Sequence, residues 1–468
     1  MDKQIGDRAV VLGASLAGLL AARVLAERYA LVTVLDRDDL PEAPTHRRGV
    51  PHGRHLHALA ARGQQSWEEL FPGLTAELVG LGAPAGDMLT DARFYLNGHR
   101  LSQTHTGLML LCASRPFLEG QVRTRVRALP NVRFQDQRDV VGLSTTEDGR
   151  RVTGARVLRR ADGSAEELVA ADLVVDASGR GSRTPAWLEM LGYGRPGRDE
   201  VRIGLGYATR TYRASLGAFD GKLAILDAAT PELPRTGALQ RLEGDRWMLT
   251  LAGILGDHPP TDDDGFLAFA RSLRFPDIFE AVRDADPLDD PVGFRFPASV
   301  RHRYEQLDRF PDGLVVMGDA ACSFNPIYGQ GMSVAALEAL TLRRHLDLGI
   351  EPRPHRWFRD LAHVIDVPWG MSAGGDLLFP GVSDQRPVKF RLLGAYLARL
   401  HAAAEDDAEL ATTFMRVAGL VDAPRSLLRP GIALRVLRRR RTRRRQPATV
   451  VSGAARPFPG PDAATGRP

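Results

Sequence analysis

Short apolar runs separated by glycine turns dominate the first third of the chain. Ala9 to Leu12 is an apolar strand that enters a tight turn at Gly13. Ala22 and Leu25 continue a helical stripe, and Leu31 to Leu35 form a second buried strand ending at Asp36. Asp91 to Leu111 reads as two strands about an Asn97-Gly98 hairpin signal, and a helix begins at Arg115 with Val122 and Val126 on one face and Arg123, Arg125 and Arg127 on the other. Val132 to Phe134, Val140 to Leu143 and Val152 to Leu158 predict short strands, with turns at Glu147-Asp148-Gly149 and Asp162-Gly163. Ala171 to Asp176 is a buried strand running into the turn Ser178 to Arg183. From Arg202 to Phe296 strands prevail (Ile203 to Tyr212, Leu223 to Leu226, Arg246 to Leu251), with one helix near Phe266 to Arg271. A further buried strand ends at Gly318-Asp319 and leads through an Asn325-Pro326 turn to a helix from Met332 to His345. Beyond Arg353 the pattern is helical over Val388 to Ala404, Asp407 to Gly419 and Arg425 to Arg440. Alternating strands and helices of this kind predict an α/β fold, α+β overall.

Composition narrows the class. At 468 residues, 44% hydrophobic and 25% charged, the chain is long enough for two or three globular domains. No apolar run approaches the roughly 20 residues that span a bilayer, and Met1 to Asp7 is polar rather than a secretory leader, so the expected location is cytoplasmic. Cys112 and Cys322 are too few for a disulfide framework or thiolate metal site and read as buried small hydrophobes. The formal net charge is +5, but Arg435 to Arg445 holds eight arginines and no acid, so the remainder carries −3. That distribution argues against a nucleic-acid partner. The arginine run reads as a solvated helix end, with weak contact to a membrane surface as the alternative, and the Pro-, Gly- and Ala-rich residues 446–468 as a disordered tail.

Candidate chemistry lies in three glycine-bearing turns. In Gly13-Ala14-Ser15-Leu16-Ala17-Gly18, Gly13 permits the sharp turn and Gly18 close helix packing. Helix N-terminal amides suit a pyrophosphate, and Asp36 a ribose hydroxyl. Ser15 occupies the middle glycine position of the usual nucleotide turn. Asp36-Arg37 is followed by the loop Arg47 to His57, whose four histidines, counting His46, come without cysteine or carboxylate; its arginines and small residues fit a place along an anionic cofactor better than a metal site. Asp319 at a strand end can accept hydroxyl hydrogens, and the amides at Gly331 and Met332 can face negative charge. Tyr207, Tyr212, Phe219, Phe294 and Phe296 suit the wall of an apolar pocket, or an ordinary core. Leu392, Leu393, Tyr396, Leu397 and Leu400 have helical spacing and read by default as packing on the main body, with an apolar lid or a membrane-surface contact as the alternative.

Taken in order, Gly13 to Gly18 with Asp36, Asp176 through Gly179, and Gly318-Asp319-Ala320 through Gly331-Met332 resemble the motifs of flavoprotein monooxygenases with the para-hydroxybenzoate hydroxylase fold, over about Arg8 to His345. The stretches Arg47 to His57 and Ser178 to Arg183 are most similar to the bacterial branch of polyether epoxidases and squalene epoxidase-like proteins. The resemblance implies a Rossmann-like FAD-binding domain in three parts (1–90, 112–200 and 298–346), an inserted β-sheet substrate domain (91–111 and 201–297) and a C-terminal helical region (347–445). It implies FAD held by Gly13, Ser15, Leu16, Ala17, Gly18, Asp36, Arg37, Arg48, Arg115, Val140, Gly318, Asp319, Pro326, Gly331 and Met332, with Tyr207, Phe294 and Phe296 on the substrate side. Oxygen from O2 would pass through a flavin C4a-hydroperoxide to an apolar small molecule, by epoxidation or hydroxylation in secondary metabolism, with no obligatory catalytic side chain. Ser178 stands where many members have an aspartate, which leaves the electron source open between NAD(P)H directly and a separate flavin reductase. A saturase of the geranylgeranyl reductase type and a non-catalytic flavin- or lipid-binding protein are the alternative readings.

Overall fold

The computed structural model describes residues 4–161, 163–213, 218–383 and 388–438. Asp162, Arg439 to Arg445 and the 446–468 tail lie outside the described residues, as does the Phe219 side chain. The apolar runs predicted near the N-terminus form β1 (Gly6–Leu12), α1 (Leu16–Leu25) and β2 (Tyr29–Leu35). β3 (Val132–Gln135), β4 (Leu173–Asp176) and β5 (Leu314–Val316) complete a parallel sheet of order β5-β4-β1-β2-β3. Val10 to Leu12, Val32, Val34, Leu173 to Val175 and Leu314 to Val316 are all at or near zero exposure. Burial on both faces explains why these strands are continuous apolar runs rather than alternating ones. This is the order of doubly wound nucleotide-binding sheets, in which ligands lie beyond the carboxyl ends of the strands.

A second, eight-stranded sheet stands beside the first. Its order is Cys322–Ser323, Val292–Arg303, Gly197–Arg213, Arg246–Gly253, Arg235–Leu242, Ala224–Asp227, Ala92–Leu96 and His99–Arg100, antiparallel except where Ala224–Asp227 meets Ala92–Leu96. Its two longest strands begin before and end after the expected 201–297 span. The expected unit 91–111 is also divided, because Met109–Leu111 pairs with Ala85–Asp87 in a separate two-stranded sheet. Asn97 and Gly98, with φ of 49° and 75°, form the expected hairpin turn between Ala92–Leu96 and His99–Arg100.

Seven helices, α1 among them, matter to the site. α2 (Arg115–Arg127) flanks α1, and α3 (Gly331–Leu346) packs across α1 on one face of the parallel sheet. α4 (Pro354–Asp376) follows α3, and α5 (Val388–Ala404) and α6 (Ala408–Ala418) form a separate cluster. The last described helix is α7 (Pro430–Arg438). The α5–α7 cluster shares a core with Leu89, Ala92, Leu101 and Leu110. It therefore roofs the outer end of the eight-stranded sheet. Arg123, expected on the polar face of α2, is 2% exposed and turned inward.

Candidate functional site

The nucleotide turn owes its shape to two backbone approaches. Gly13 has φ +102°, and a Cβ there would lie 2.6 Å from the Ala177 carbonyl oxygen. A Cβ on Gly18 would lie 1.8 Å from the Gly13 carbonyl oxygen, so no side chain fits. Ser15 is the extended N-cap of α1, and Leu16 and Ala17 open the helix where backbone N–H groups lack intrahelical partners. Asp36 closes the turn from the end of β2. The Ala14 amide donates to its Oδ2 at 2.6 Å and the Asp38 amide to its Oδ1 at 2.8 Å.

A buried charge network fastens this turn to α2 and the following loop. Glu119 lies 2.7 Å from Arg47, 3.1 Å from Arg115 and 3.4 Å from Arg123, and accepts the Ser15 hydroxyl at 2.9 Å. Burial pushes the Glu119 carboxyl up, but Arg115 and Arg47 outweigh it and hold the group below its ordinary range. Arg47 also reaches Asp36 at 3.4 Å. Arg48, the expected cofactor-facing arginine, is exposed and does not border the cavity; Arg47 takes that place. The two differ because the chain turns at Val50 and Pro51 with Arg47 beneath it, where three acids compensate its charge.

One cavity of about 1910 Å³ runs from this turn across both sheets to the C-terminal helices. It is roughly twice the upper end of pockets that take drug-sized ligands, about 1,000 Å³. Gly13, Ser15, Leu16, Ala17, Asp36, Arg37, Arg115, Val140, Gly318, Asp319, Pro326, Gly331 and Met332 all border it, as do Tyr207, Phe294 and Phe296. Gly18 does not, since it is buried against Gly13. Tyr207 and Phe294 are cross-strand partners with ring centroids 5.3 Å apart. His55 meets Tyr207 edge-on at 4.5 Å, and its Nδ1 lies 2.8 Å from Thr209 Oγ1, which ties the Arg47–His57 loop to the eight-stranded sheet. Burial first, then neighbouring positive charge, pushes His52 down to about 3 and His55 to about 4, so both imidazoles are neutral near pH 7. Arg180 stacks over Phe296 at 4.4 Å. Among the described residues no group of histidine, cysteine and carboxylate side chains is placed to hold a metal.

The donor set fits FAD. Asp36 sits beside the α1 amides, and Asp319 borders the cavity further along with no hydrogen bond or ion pair among the described residues, leaving both oxygens for ligand hydroxyls. Burial raises Asp319, while Arg180 and Arg115 act against that rise. Buried Arg47 Nη1 and Arg115 Nε lack hydrogen-bond partners. The cavity continues between sheet and helices, where Phe94, Leu96, Leu226, Met371, Leu397 and Phe414 give it apolar walls. The C-terminal helices, expected by default to be packing, thus form part of the site.

Two buried acids shape the region around Asp319 and Pro326, and sequence reasoning passed over both. Glu338 on α3 accepts the Gly318 amide at 2.5 Å, and burial pushes it up to about 8. Asp376, at the end of α4, accepts from Asn325 Nδ2 at 2.8 Å and from the Tyr328 hydroxyl at 3.0 Å. Burial pushes it up to about 7. Asn325 Oδ1 in turn accepts the Ile327 amide at 3.2 Å and caps the short helical turn Pro326–Tyr328. A Cβ on Gly375 would lie 2.3 Å from the Tyr328 hydroxyl oxygen, so the glycine lets Tyr328 reach Asp376. The Gly374-Gly375-Asp376 triplet was the available signal, a glycine pair before an acid inside a helix. The Ser178 turn is organised by Asp176, whose oxygens accept Ser178 Oγ at 2.5 Å, Ser182 Oγ at 2.5 Å and Thr184 Oγ1 at 2.6 Å.

No family model matches the chain. Protein Rv3254 of Mycobacterium tuberculosis is 40% identical over 437 residues, covering 89% of this chain and 90% of that protein. Kynurenine 3-monooxygenase of Salinispora tropica is 26% identical over 476 residues, 94% of this chain and 99% of that one. The solved structure of flavin-dependent brominase Bmp2 matches with a TM-score of 0.63 at 15% identity, over 88% of this chain and 93% of that one, a likeness of fold. The sheet order, the glycine turn with Asp36 and the Asp319 turn agree with these likenesses: the chain belongs to the same family as Protein Rv3254 and has the fold of the FAD-dependent monooxygenases of the para-hydroxybenzoate hydroxylase type.

Proposed function

We propose that the chain inserts one oxygen atom from O2 into an apolar small molecule, by epoxidation or hydroxylation, as a step of secondary metabolism in the cytoplasm. The observation that carries this reading is the continuity of the cavity: the FAD-type donor set opens, without a partition, into an apolar chamber under the C-terminal helices. FAD, when bound, supplies the two-electron chemistry and the activation of O2. The chain's own residues hold and shield. Gly13, Ser15, Leu16 and Ala17 face the pyrophosphate, with Asp36, Arg37 and Val140 at the adenosine end. Asp319 takes the ribityl hydroxyls, and Pro326, Gly331 and Met332 border the ring system. Tyr207, Phe294 and Phe296 close the substrate side and keep water away from the reacting centre. A place near the polyether epoxidase branch is supported by the Arg47–His57 and Ser178–Arg183 stretches.

The test is oxygen-18 incorporation from labelled O2 into product, run with NAD(P)H alone and with an added flavin reductase. Label in product in either arm supports the proposal, and the arm that turns over identifies the electron source. Reduction of an alkene substrate without label would instead identify a saturase of the geranylgeranyl reductase type. Protein that carries no flavin spectrum, and gains none with added FAD, would overturn the cofactor assignment altogether.

A further inference from the structure

Where the cavity reaches the surface its rim is apolar and basic. Arg391 and Leu393 of α5 border the cavity there, together with Arg425, Leu427 and Leu428 of the turn that precedes α7. Leu393 and Leu428 are nonetheless 44% and 62% exposed, so they face both the cavity and the outside. Leu392, beside Leu393, is 68% exposed. α7 packs on both α5 and the preceding turn, burying Ile432 and Val436 and leaving Leu434 and Leu437 largely exposed. Single exposed leucines are ordinary, whereas Leu393 and Leu428 at the cavity, with Leu392, Leu434 and Leu437 exposed on the same packed segments, call for a partner.

Charge identifies that partner. Arg391, Arg425 and Arg438 form no ion pair among the described residues, although acids are near enough elsewhere in the cluster to hold Arg416 (by Asp422) and Arg435 (by Asp407 and Glu409). Three unpaired cations interleaved with exposed leucines match the composition of surfaces that lie in the headgroup region of a bilayer. In the sequence, six more arginines follow Arg438 directly. Arg435, the first residue of the arginine run, is committed to acids, so the basic contribution of the described residues comes from Arg391, Arg425 and Arg438.

We propose that this rim docks peripherally on an anionic lipid bilayer, seating the mouth of the cavity against the acyl chains so that an apolar ligand enters without crossing water. The inference uses the shape and charge of the rim and stands independently of the reaction. No helix among the described residues is long and apolar enough to cross a membrane, so attachment would be at the surface only.

The test is co-sedimentation of the full chain with vesicles of phosphatidylcholine alone or of phosphatidylcholine mixed with phosphatidylglycerol. Binding is expected to the mixed vesicles, weakly to neutral ones, and to fall with added salt. The double variant Leu392→Glu/Leu437→Glu should lower partitioning by about tenfold or more, since each leucine withdrawn from water contributes that order of free energy. Met190→Glu, an equally exposed site on a distant helix, should leave it unchanged. If the leucine variant misfolds by circular dichroism, Arg391→Glu/Arg438→Glu replaces it with the same expectation. Absence of binding to the mixed vesicles, or equal binding by the rim variants and wild type, would overturn the proposal. So would a wild-type dimer in solution that the leucine variant dissociates, because a second copy would then be the occupant of the patch.

Discussion

Asp376 offers a quantitative test of how the Pro326 turn is held. Its carboxyl is fully buried, accepts hydrogen bonds from Asn325 and Tyr328 among the described residues, and is raised from an ordinary 3.8 to about 7 by burial. The native state therefore binds this proton more tightly than the unfolded chain does. Below about pH 4 both states are protonated and the residue carries no electrostatic cost. As pH rises towards 7 the unfolded chain has already lost the proton, and native stability falls; above about pH 7 the loss is complete. A rise from 3.8 to about 7 corresponds to about 4 kcal/mol in all, with roughly 3 kcal/mol of it reached by about pH 6. Asp376→Asn keeps an oxygen acceptor for Asn325 and Tyr328 but never ionises. Urea denaturation of wild type and variant near pH 4, 6 and 8 should show the variant gaining on wild type by about 4 kcal/mol across the range. Glu338 and Asp227, also raised by burial, titrate alike in both proteins and cancel in the difference. A stability difference that does not change with pH, or wild type gaining on the variant as pH rises, would refute a buried, proton-holding Asp376.

Further predictions follow from individual contacts. Arg47→Ala should destabilise the protein by about 3 kcal/mol by stripping one partner from the buried Glu119 cluster, whereas Arg48→Ala should change stability by no more than about 0.5 kcal/mol; equal effects in equilibrium denaturation would contradict the assignment of Arg47 to the site. Gly18→Ala forces a Cβ into the Gly13 carbonyl, so the purified variant should show a much reduced ratio of flavin to protein absorbance, and a full flavin complement would be the opposing result. Asp319→Ala should weaken FAD retention in dialysis more than Cys322→Ala does: both border the cavity, but Asp319 offers a carboxylate with no hydrogen bond or ion pair among the described residues, and Cys322 only a buried thiol.

Much of the framework was legible in the chain itself. Buried parallel strands leave continuous apolar runs, so β1, β2, β4 and β5 announce themselves, and glycines forced by backbone contact mark Gly13 and Gly18. The same logic picks out Asp319 after β5, since an acid following a buried strand has few structural reasons to be there. What escaped depends on which way a residue turns. Arg123 reads with Arg125 and Arg127 as a polar helical face, yet it turns inward to Glu119, which Arg47 also reaches from a loop some seventy residues earlier. Arg47 and Arg48 are adjacent and chemically alike, so only the fold separates them. The leucines of α5 have spacing that fits packing equally well against a core or over a cavity, and periodicity cannot distinguish the two. Asp376 is a lone acid at a helix end, and its meaning comes from Asn325 and Tyr328 about fifty residues away.

The Ser178 turn limits which residues positions 176 and 178 can hold together. Two residues before Ser178, Asp176 gathers the hydroxyls of Ser178, Ser182 and Thr184. Placing an aspartate at position 178 alone would set two carboxylates at hydrogen-bonding distance, with like-charge repulsion where a hydroxyl donor now sits. An acid at position 178 is therefore compatible with this turn only if position 176 changes with it.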